Sequence, residues 1–349
     1  MGLSLGITGY PQSGKKTLLQ ILTKNSFDIK KGIGVATIHD ERFTTLVKHY
    51  NPRKTAPATI NISLIGDLTD EAIREGNIFS NIATMDALCF VVRAFNDDSV
   101  YHVKGSVDPL RDYDKLLSEC ILHDMVFAEK RIERLNQDKK KTAQQKEKEI
   151  MLLQTFMQHL EQGNLLNSLK LADDDIAMIK SYPFITLKKI IVVFNTDDSG
   201  SEILDAFNRV YANHTVKAVA VAVKLESEIS LIDDEREQKE FYASMGVEKP
   251  ALHVLCDAML DSLGLQSFFT VGQDEVKQWL IPKGITAPLA AGYIHSDIQR
   301  GFIRAELMHY DDFIVAGSEE RLKKEGKYHL VGKDYYMQDG DIVSFRFNV

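Results

Sequence analysis

A glycine-rich stretch near the start of the chain has the residue spacing of a phosphate-binding loop. Gly9 and Gly14 are separated by four residues, and Lys15 follows directly. At this spacing small residues let backbone N–H groups surround a phosphate at a helix N-terminus, and the lysine reaches the β and γ oxygens. The apolar run at residues 3–7 and the helical pattern at residues 18–22 place the stretch between a strand and a helix. These flanks favour a P-loop over a chance glycine-rich turn.

The predicted phosphate site departs from the P-loop pattern at one position. We expect phosphate contacts from Gln12, Ser13, Gly14, Lys15, Lys16 and Thr17. A P-loop has Ser or Thr directly after its lysine, because that hydroxyl oxygen binds Mg²⁺, and this chain has Lys16 there. A lysine ammonium about 4 Å from Mg²⁺ would cost roughly 8 kcal/mol at an effective dielectric near 20. We therefore expect that Lys16 turns away or that the metal does not bind.

The composition of the 349-residue chain is that of a soluble globular protein, with 44% apolar and 26% charged residues. The length exceeds that of one usual domain, so we expect about two or three. A net charge of -8 argues against wholesale nucleic-acid binding and gives no reason to expect DNA sequence recognition. The sequence has no C-x-x-C pair and no long apolar segment, so we expect reduced thiols, no membrane segment and a cytoplasmic location.

Five short apolar runs have the character of buried parallel strands. They lie at residues 3–7, 60–65, 87–94, 189–194 and 216–223. Unbroken apolar strands that alternate with helical stretches indicate a parallel sheet covered on both faces. We therefore predict a doubly wound α/β domain, with any ligand at the carboxyl ends of the strands.

A long segment between the third and fourth of these runs has a helical pattern instead. Apolar residues recur every three or four positions from Leu117 to Leu135 and again from Ile150 to Leu160, which predicts a helical hairpin. The break at residues 136–148 is rich in Lys, Gln and Glu and includes Lys139-Lys140-Lys141. A solvated hairpin tip explains this run, and a contact for RNA phosphate or a protein partner is the alternative.

The residue pattern of the sequence changes again near residue 266. Short β-prone pieces at residues 267–271, 278–281, 328–330 and 342–347 are separated by glycine-containing turns. They indicate a small α+β domain. We predict a P-loop domain at residues 1–115 and 180–265, the hairpin at 116–179 and the small domain at 266–349.

Several longer motifs carry a resemblance that covers nearly the whole chain. They are Asn-Ile-Ala-Thr-Met-Asp-Ala at residues 81–87, Val-Val-Arg-Ala-Phe at 91–95, and His-Val-Lys-Gly-Ser-Val-Asp-Pro-Leu at 102–110. With these motifs and residues 268–347, the chain resembles the YchF family of Obg-related P-loop NTPases of the TRAFAC class. Residues 287–297 and 301–306 look like that family's C-terminal TGS domain, a β-grasp module. The resemblance implies a G domain that uses ATP or GTP, an inserted helical hairpin, a TGS domain, and the ribosome or RNA as a partner.

The resemblance also points to the residues that would hold the purine base. The family carries Asn-x-x-Glu where GTPases carry Asn-Lys-x-Asp, and the matching stretch here runs from Asn195 to Asp198. A carboxylate in the last position accepts two N–H bonds from guanine that adenine cannot offer, and Asp198 supplies one. Thr196, however, takes the place of the lysine that usually packs beneath the base, so the base preference stays open. An ordinary polar turn is the alternative for this stretch. The predicted base site also includes Ala222, Val223 and Lys224 at the end of the last apolar run.

The resemblance is weakest at the positions that would hold Mg²⁺. The family's Asp-x-x-Gly signature aligns with Leu64-Ile65-Gly66-Asp67, so both defining residues differ, and Asp28 or a neighbour falls where a switch threonine should be. Asp28 and Asp67 are the candidate metal ligands that remain, and the altered positions argue against bound Mg²⁺. Because phosphoryl transfer relies on positioning and on charge neutralisation by Mg²⁺, we expect slow or absent hydrolysis. A working ATPase or GTPase with rearranged metal ligands and a nucleotide-free adaptor stay open as alternatives.

Overall fold

The computed structural model describes residues 3–24, 26–28, 30–197, 200–232, 234–247 and 249–348. The strands are β1 (Ser4–Gly9), β2 (Phe27–Asp28), β3 (Ile33–Thr37), β4 (Lys54–Ala56), β5 (Thr59–Asp67), β6 (Ala87–Arg93), β7 (Lys189–Asn195), β8 (Val216–Val221), β9 (Leu265–Thr270), β10 (Glu275–Pro282), β11 (Phe302–His309), β12 (His329–Val331) and β13 (Asp341–Phe347).

The helices alternate with these strands. They are α1 (Lys15–Leu22), α2 (Glu41–Tyr50), α3 (Asp70–Glu75), α4 (Asn77–Ala83), α5 (Pro109–Gln137), α6 (Ala143–Glu161), α7 (Asp173–Ile179), α8 (Ser201–Val210), α9 (Val223–Ile229), α10 (Glu235–Ser244), α11 (Ala251–Ser262), α12 (Ala287–Ile294), α13 (Ser296–Arg300), α14 (Tyr310–Ala316) and α15 (Glu319–Glu325). A short 3₁₀ helix spans Leu166–Ser168. The chain forms two compact units, Met1–Ala36 with Asn61–Ala258 and Thr37–Ile60 with Met259–Val349.

The first unit is built on a seven-stranded sheet in the order β2-β3-β5-β1-β6-β7-β8. The five strands that the sequence predicts form its continuous parallel part, from β5 to β8. All seven residues of β6 are buried, which explains its unbroken apolar sequence. The predicted doubly wound α/β class is confirmed.

One core cluster of this unit lies between the sheet and the first half of α5. Tyr113 of α5 is fully buried and packs edge-on against Phe207 of α8, with ring centroids 4.9 Å apart. Phe90 of β6 and Phe194 of β7 belong to the same cluster. The first turns of α5 are therefore part of the sheet core, and the helix continues beyond it.

The second half of α5 pairs with α6 to form the predicted helical hairpin, and this part of the prediction is also confirmed. Leu135, Leu153 and Phe156 are buried in a cluster of their own. The connecting turn is shorter than the predicted break, because α6 already begins at Ala143. The reason is local: Thr142 and Gln145 form a capping box, so the polar residues after it are helical.

A buried carboxylate fixes the hairpin tip. Glu149 is 1% exposed and binds Arg131, Lys141 and Tyr182. Burial alone would raise the pKa of Glu149, but its hydrogen bonds to Lys141, Tyr182 and Arg131 outweigh that effect and hold the pKa below its usual value. Lys141 is thus a structural residue, whereas Lys139 and Lys140 are exposed.

The second unit is built on a six-stranded mixed sheet in the order β12-β11-β13-β9-β10-β4. Phe268 and Phe269 are adjacent in β9 and point to opposite faces, as the alternation of a strand requires. Phe268 packs with the alanines of α12, and Phe269 packs with residues of α2, α14 and α15. This arrangement agrees with the predicted α+β character of the C-terminal region.

Residues 37–60 belong to this second unit, although the sequence placed them in the first domain. Phe43 and Leu46 of α2 are buried in the second unit's core, and β4 pairs in parallel with β10. The sequence of β4, Lys-Thr-Ala, gives no apolar signal that would reveal this pairing. The division into three domains, with the hairpin counted separately, stays a prediction.

In the part of the chain that the structure describes, no helix combines the length and the apolar character that a membrane crossing requires.

Candidate functional site

The loop between β1 and α1 has the backbone conformation that close approach to a ligand requires. Gly14 precedes α1 with φ 97°, in the left-handed region, and Gln12 has φ 62°. Gly9 has φ 147°, and a Cβ atom there would lie 2.3 Å from the carbonyl oxygen of Val91. Glycine is therefore required at positions 9 and 14 by backbone geometry and by space.

This loop forms one wall of an open cleft of about 1080 Å³ in the first unit. Five of the predicted phosphate-binding residues line the cleft, namely Gln12, Gly14, Lys15, Lys16 and Thr17. Ser13 is buried beneath them and is 1% exposed. The cleft lies at the carboxyl ends of β1, β5, β6 and β7, where a doubly wound sheet binds its ligands.

The Lys15 side chain is buried in the wall of the cleft, with 5% of its surface exposed. Its Nζ donates to the carbonyl oxygen of Tyr10 and to Ser13 Oγ at 3.3 Å, and it lies 2.9 Å from Asp67 Oδ1. Burial lowers the pKa of Lys15, and its contact with the Asp67 carboxylate partly offsets that effect. The Lys15 amine is thus held at the end of the cleft that the sequence predicts to bind phosphate, which we call the phosphate end.

The next residue, Lys16, is exposed and lines the cleft. Its ammonium occupies the sequence position where a P-loop presents a hydroxyl to Mg²⁺. The phosphate end of the cleft therefore carries two lysines where a P-loop carries one lysine and one hydroxyl.

Asn195 ends β7 and connects the phosphate loop to the opposite wall. Its Nδ2 donates to the Ser13 carbonyl oxygen at 3.0 Å, and its Oδ1 accepts from the Val223 N–H at 3.2 Å. The side chain is 5% exposed, and it lies against Gly14 so closely that a Cβ atom there would be 2.3 Å from Nδ2. Asn195 therefore fixes the position of the phosphate loop relative to the start of α9.

The remaining residues of the predicted base site come directly after β8, and we call their side of the cleft the base end. Ala222, Val223 and Lys224 line it, and Val223 is the first residue of α9. Thr196 and Asp197 also line the cleft, and Asp97 and Phe95 face them from the loop after β6. Asp198 lies outside the described residues.

The structure separates Asp28 from the other positions that the sequence associates with Mg²⁺. Asp67 lines the cleft and pairs with Lys15, and Leu64 also lines it. Asp28 lies in β2, where its carboxylate accepts from the N–H groups of Lys30 and Lys31. Asp28 is not among the residues that line the cleft.

Two residues that shape the cleft are absent from the sequence prediction. Arg93 is 4% exposed and donates to the carbonyl oxygens of Phe95, Asp97 and Val100, which fixes the loop after β6. Glu226 is 5% exposed and accepts from Tyr242 Oη and the Ala251 N–H, both at 2.8 Å, which ties α9 to α10 and α11. An arginine at the end of an apolar strand was the available signal for Arg93. Glu226 gives no such signal, because carboxylates are ordinary on helices.

The strand–loop–helix geometry, the parallel sheet and the cleft at its carboxyl edge define a P-loop protein of the doubly wound α/β class. Comparison with known proteins supports a narrower assignment. The chain is 37% identical over 364 residues to the ribosome-binding ATPase YchF of Haemophilus influenzae, and the match covers all of both chains. It is 36% identical over 371 residues to the ribosome-binding ATPase YchF of Bacillus subtilis, again over all of both chains.

A family model and a solved structure agree with these relatives. The model YchF-GTPase_C, described as a protein of unknown function (DUF933), matches residues 265–348. The structure of the Schizosaccharomyces pombe YchF GTPase superposes with a TM-score of 0.85 at 28% identity, over 99% of this chain and 98% of that one. The chain belongs to the YchF family.

Proposed function

We propose that this protein binds a purine nucleoside triphosphate, ATP or GTP, in the P-loop cleft. The observation that carries the proposal is that Lys15, Asn195 and Val223 line one cleft. Asn195 is hydrogen-bonded to both walls, since it donates to Ser13 and accepts from Val223. The YchF relatives of H. influenzae and B. subtilis are named ATPases, and the S. pombe relative is named a GTPase. These names support a purine nucleotide and leave the base open.

The donor groups at the phosphate end do not fit a Mg²⁺ site of the P-loop kind. Lys16 replaces the hydroxyl, and the Asp67 carboxylate already pairs with Lys15. No group of three or more His, Cys, Asp and Glu side chains is arranged to hold a metal ion within the described ranges. We therefore propose that Lys16 supplies part of the positive charge that Mg²⁺ supplies elsewhere, and that nucleotide binding is largely independent of the metal.

Slow or absent hydrolysis follows from the same substitutions. Phosphoryl transfer to water relies on charge neutralisation and on a positioned nucleophile, and the positions of the Asp-x-x-Gly signature hold Leu64 and Asp67 instead. Lys15 and Lys16 can stabilise bound phosphates equally before and during the reaction, which favours binding over turnover. We infer a nucleotide-binding protein with weak hydrolysis.

Calorimetric titration with ATP and GTP, together with phosphate release under the same conditions, tests this proposal. We expect saturable binding of at least one nucleotide and turnover far below about 1 s⁻¹, the lower end of usual enzyme rates. Binding with rapid turnover would indicate a working ATPase or GTPase with rearranged ligands. The absence of any binding would indicate an adaptor and would refute the nucleotide proposal.

We also propose that the protein associates with ribosomes, since its relatives are named ribosome-binding ATPases. The two candidate surfaces are the C-terminal unit, which we assign to a TGS-like module, and the hairpin tip at Lys139 and Lys140. Both lysines are exposed on the five-residue turn between α5 and α6. A surface that faces RNA loses affinity as salt rises, because binding releases counterions from the phosphates.

Co-sedimentation with ribosomes over a salt series tests both surfaces. The double variant Lys139→Glu and Lys140→Glu should bind more weakly, with a salt slope lower by about two units because each lost contact removes about one. Lys141 must be left unchanged, because it pairs with the buried Glu149. The variant Lys170→Glu and Lys180→Glu, which changes two exposed lysines elsewhere in the same unit, is the matched control. Deletion of residues 266–349 should abolish association, and full association of the truncated chain would refute the TGS-like module as the binding surface.

A further inference from the structure

Asp67 reaches the phosphate end of the cleft through a local irregularity in β5. Ile7 of β1 pairs with Leu64, but the next residue, Thr8, pairs with Gly66, so Ile65 is an extra residue. Such a bulge shifts every later side chain of the strand by one position. Asp67 consequently lies opposite Gly9, at the start of the phosphate loop.

The backbone around the bulge is held by several specific contacts. The Thr8 hydroxyl donates to the Gly66 carbonyl oxygen at 3.0 Å, and the Leu68 N–H donates to the Gly9 carbonyl oxygen at 3.1 Å. Gly66 has φ 113°, a value that side-chain-bearing residues rarely adopt. The position of Asp67 is therefore set by buried and hydrogen-bonded neighbours, although its own side chain is 48% exposed.

The Lys15 ammonium has three N–H donors, and three groups are placed to accept them. Two are neutral oxygens of the phosphate loop itself, the Tyr10 carbonyl and Ser13 Oγ. The third is the Asp67 carboxylate at 2.9 Å, which is the one anion among them and the one partner that faces the cleft. A phosphate oxygen that binds Lys15 must take the place of Asp67.

We propose that Asp67 is a specificity-determining residue that competes with ligand phosphate for Lys15, so that the cleft selects ligands by phosphate-chain length. This inference rests on the proposed nucleotide binding. A P-loop lysine reaches the β and γ phosphates, so a di- or triphosphate competes with Asp67 and a monophosphate does not. The competition lowers the affinity for ADP and ATP and leaves the affinity for AMP unchanged.

The test compares the full-length protein with Asp67→Asn and Asp67→Gly by titration with ATP, ADP and AMP, and with GTP, GDP and GMP in parallel. EDTA is present, so that a metal cannot bind Asp67. Asp67→Asn keeps the shape of the side chain and removes its charge, and Asp67→Gly places the residue of the family signature there. We expect both variants to bind tri- and diphosphates about three- to fivefold more tightly, the size expected for a half-exposed ion pair. Monophosphate affinity should change less than about twofold.

A second readout examines the ion pair without any nucleotide. Acetylation of Lys15 as a function of pH, followed by mass spectrometry, reports when its amine loses its proton. The Asp67 carboxylate raises the pKa of Lys15 against the effect of burial. In the Asp67→Asn variant, Lys15 should therefore become acetylated at lower pH than in the unmodified chain. Glu202→Gln, which removes one exposed carboxylate from α8, is the control for net charge and should change neither readout.

The outcomes separate this inference from the proposed function. Unchanged or weaker triphosphate binding in both Asp67 variants would overturn the competition, and so would an equal gain for mono- and triphosphates. An unchanged acetylation profile would show that the ion pair is absent. If neither the unmodified chain nor the variants bind any nucleotide, the proposed function fails and this inference fails with it.

Discussion

The two ends of the cleft differ in what their polar residues do. At the base end, Asn195 makes hydrogen bonds with Ser13 and Val223 and connects backbone segments. At the phosphate end, Lys15, Lys16 and Asp67 bring charges that partly cancel. The first arrangement supports the backbone geometry of a P-loop protein, and on our proposal the second changes the chemistry that this geometry supports. The comparison teaches that retention of a fold and retention of its reaction are separate properties, because they depend on different residues.

Removal of the Asn195 side chain should produce the largest effect. Asn195→Ala leaves the Ser13 carbonyl and the Val223 N–H without their buried partner, which should cost about 2–4 kcal/mol of unfolding free energy. Since the two walls of the cleft are then no longer held in position relative to each other, nucleotide affinity should fall more than about a hundredfold. Urea unfolding and calorimetry measure the two effects.

Asn195→Asp is the matched control for this variant. It keeps an oxygen that accepts from the Val223 N–H and loses the donor to Ser13, so its losses should be intermediate. Equal affinity of Asn195→Ala and the unmodified chain would show that the base end is not a frame for the ligand.

Removal of the Lys15 charge should produce a smaller loss of nucleotide affinity. Lys15→Ala removes a charge-assisted hydrogen bond to phosphate worth about 1.5 to 3 kcal/mol, so affinity for ATP or GTP should fall roughly ten- to a hundredfold. Lys15→Met keeps the buried stem and should show a similar loss, which separates charge from packing. Unchanged affinity in both variants would favour the adaptor interpretation.

Neutralisation of Glu226 should have the smallest effect, which is a change in the unfolding free energy that depends on pH. Burial raises the pKa of Glu226 above its usual value despite its bonds from Tyr242 and Ala251. Its protonated form therefore favours folding at low pH, and that contribution is lost as pH rises through the raised pKa. Glu226→Gln imitates the protonated form, so the unfolding free energy of the variant minus that of the unmodified chain should increase from pH 4 to pH 7. A difference that stays constant over this range would contradict a raised pKa.

The sequence predicts the strands and helices of the molecule better than the contacts of its charged side chains. The five parallel strands and the hairpin follow from apolar patterns, because burial on both faces or on one stripe requires those patterns. The second-unit membership of residues 37–60 depends on the pairing of β4 with β10, across more than two hundred residues of chain, for which Lys-Thr-Ala gives no signal. Strand β11 is missing from the predicted β pieces, since its Arg, Ala, Glu, Leu and Met residues are common in helices.

The candidate site shows the same division. The phosphate loop is recognisable because its spacing is local, and the cleft brings five of its six predicted residues together. The pairing of Asp67 with Lys15 is not recognisable, because a one-residue bulge decides which β5 side chain reaches the loop. Lys141 could not be distinguished from Lys139 and Lys140 in the sequence, since its partner Glu149 becomes buried only when the hairpin forms.

The most direct test of this account measures ATP and GTP affinity with and without Mg²⁺ in the unmodified chain and in Lys16→Ser. If Lys16 replaces part of the metal's charge, the dissociation constant of the unmodified chain should change less than about threefold on addition of EDTA. Lys16→Ser restores the hydroxyl at this position, so its affinity should depend on Mg²⁺, by about tenfold or more. Affinity of the unmodified chain that collapses in EDTA would contradict the central claim that the phosphate end works without a metal.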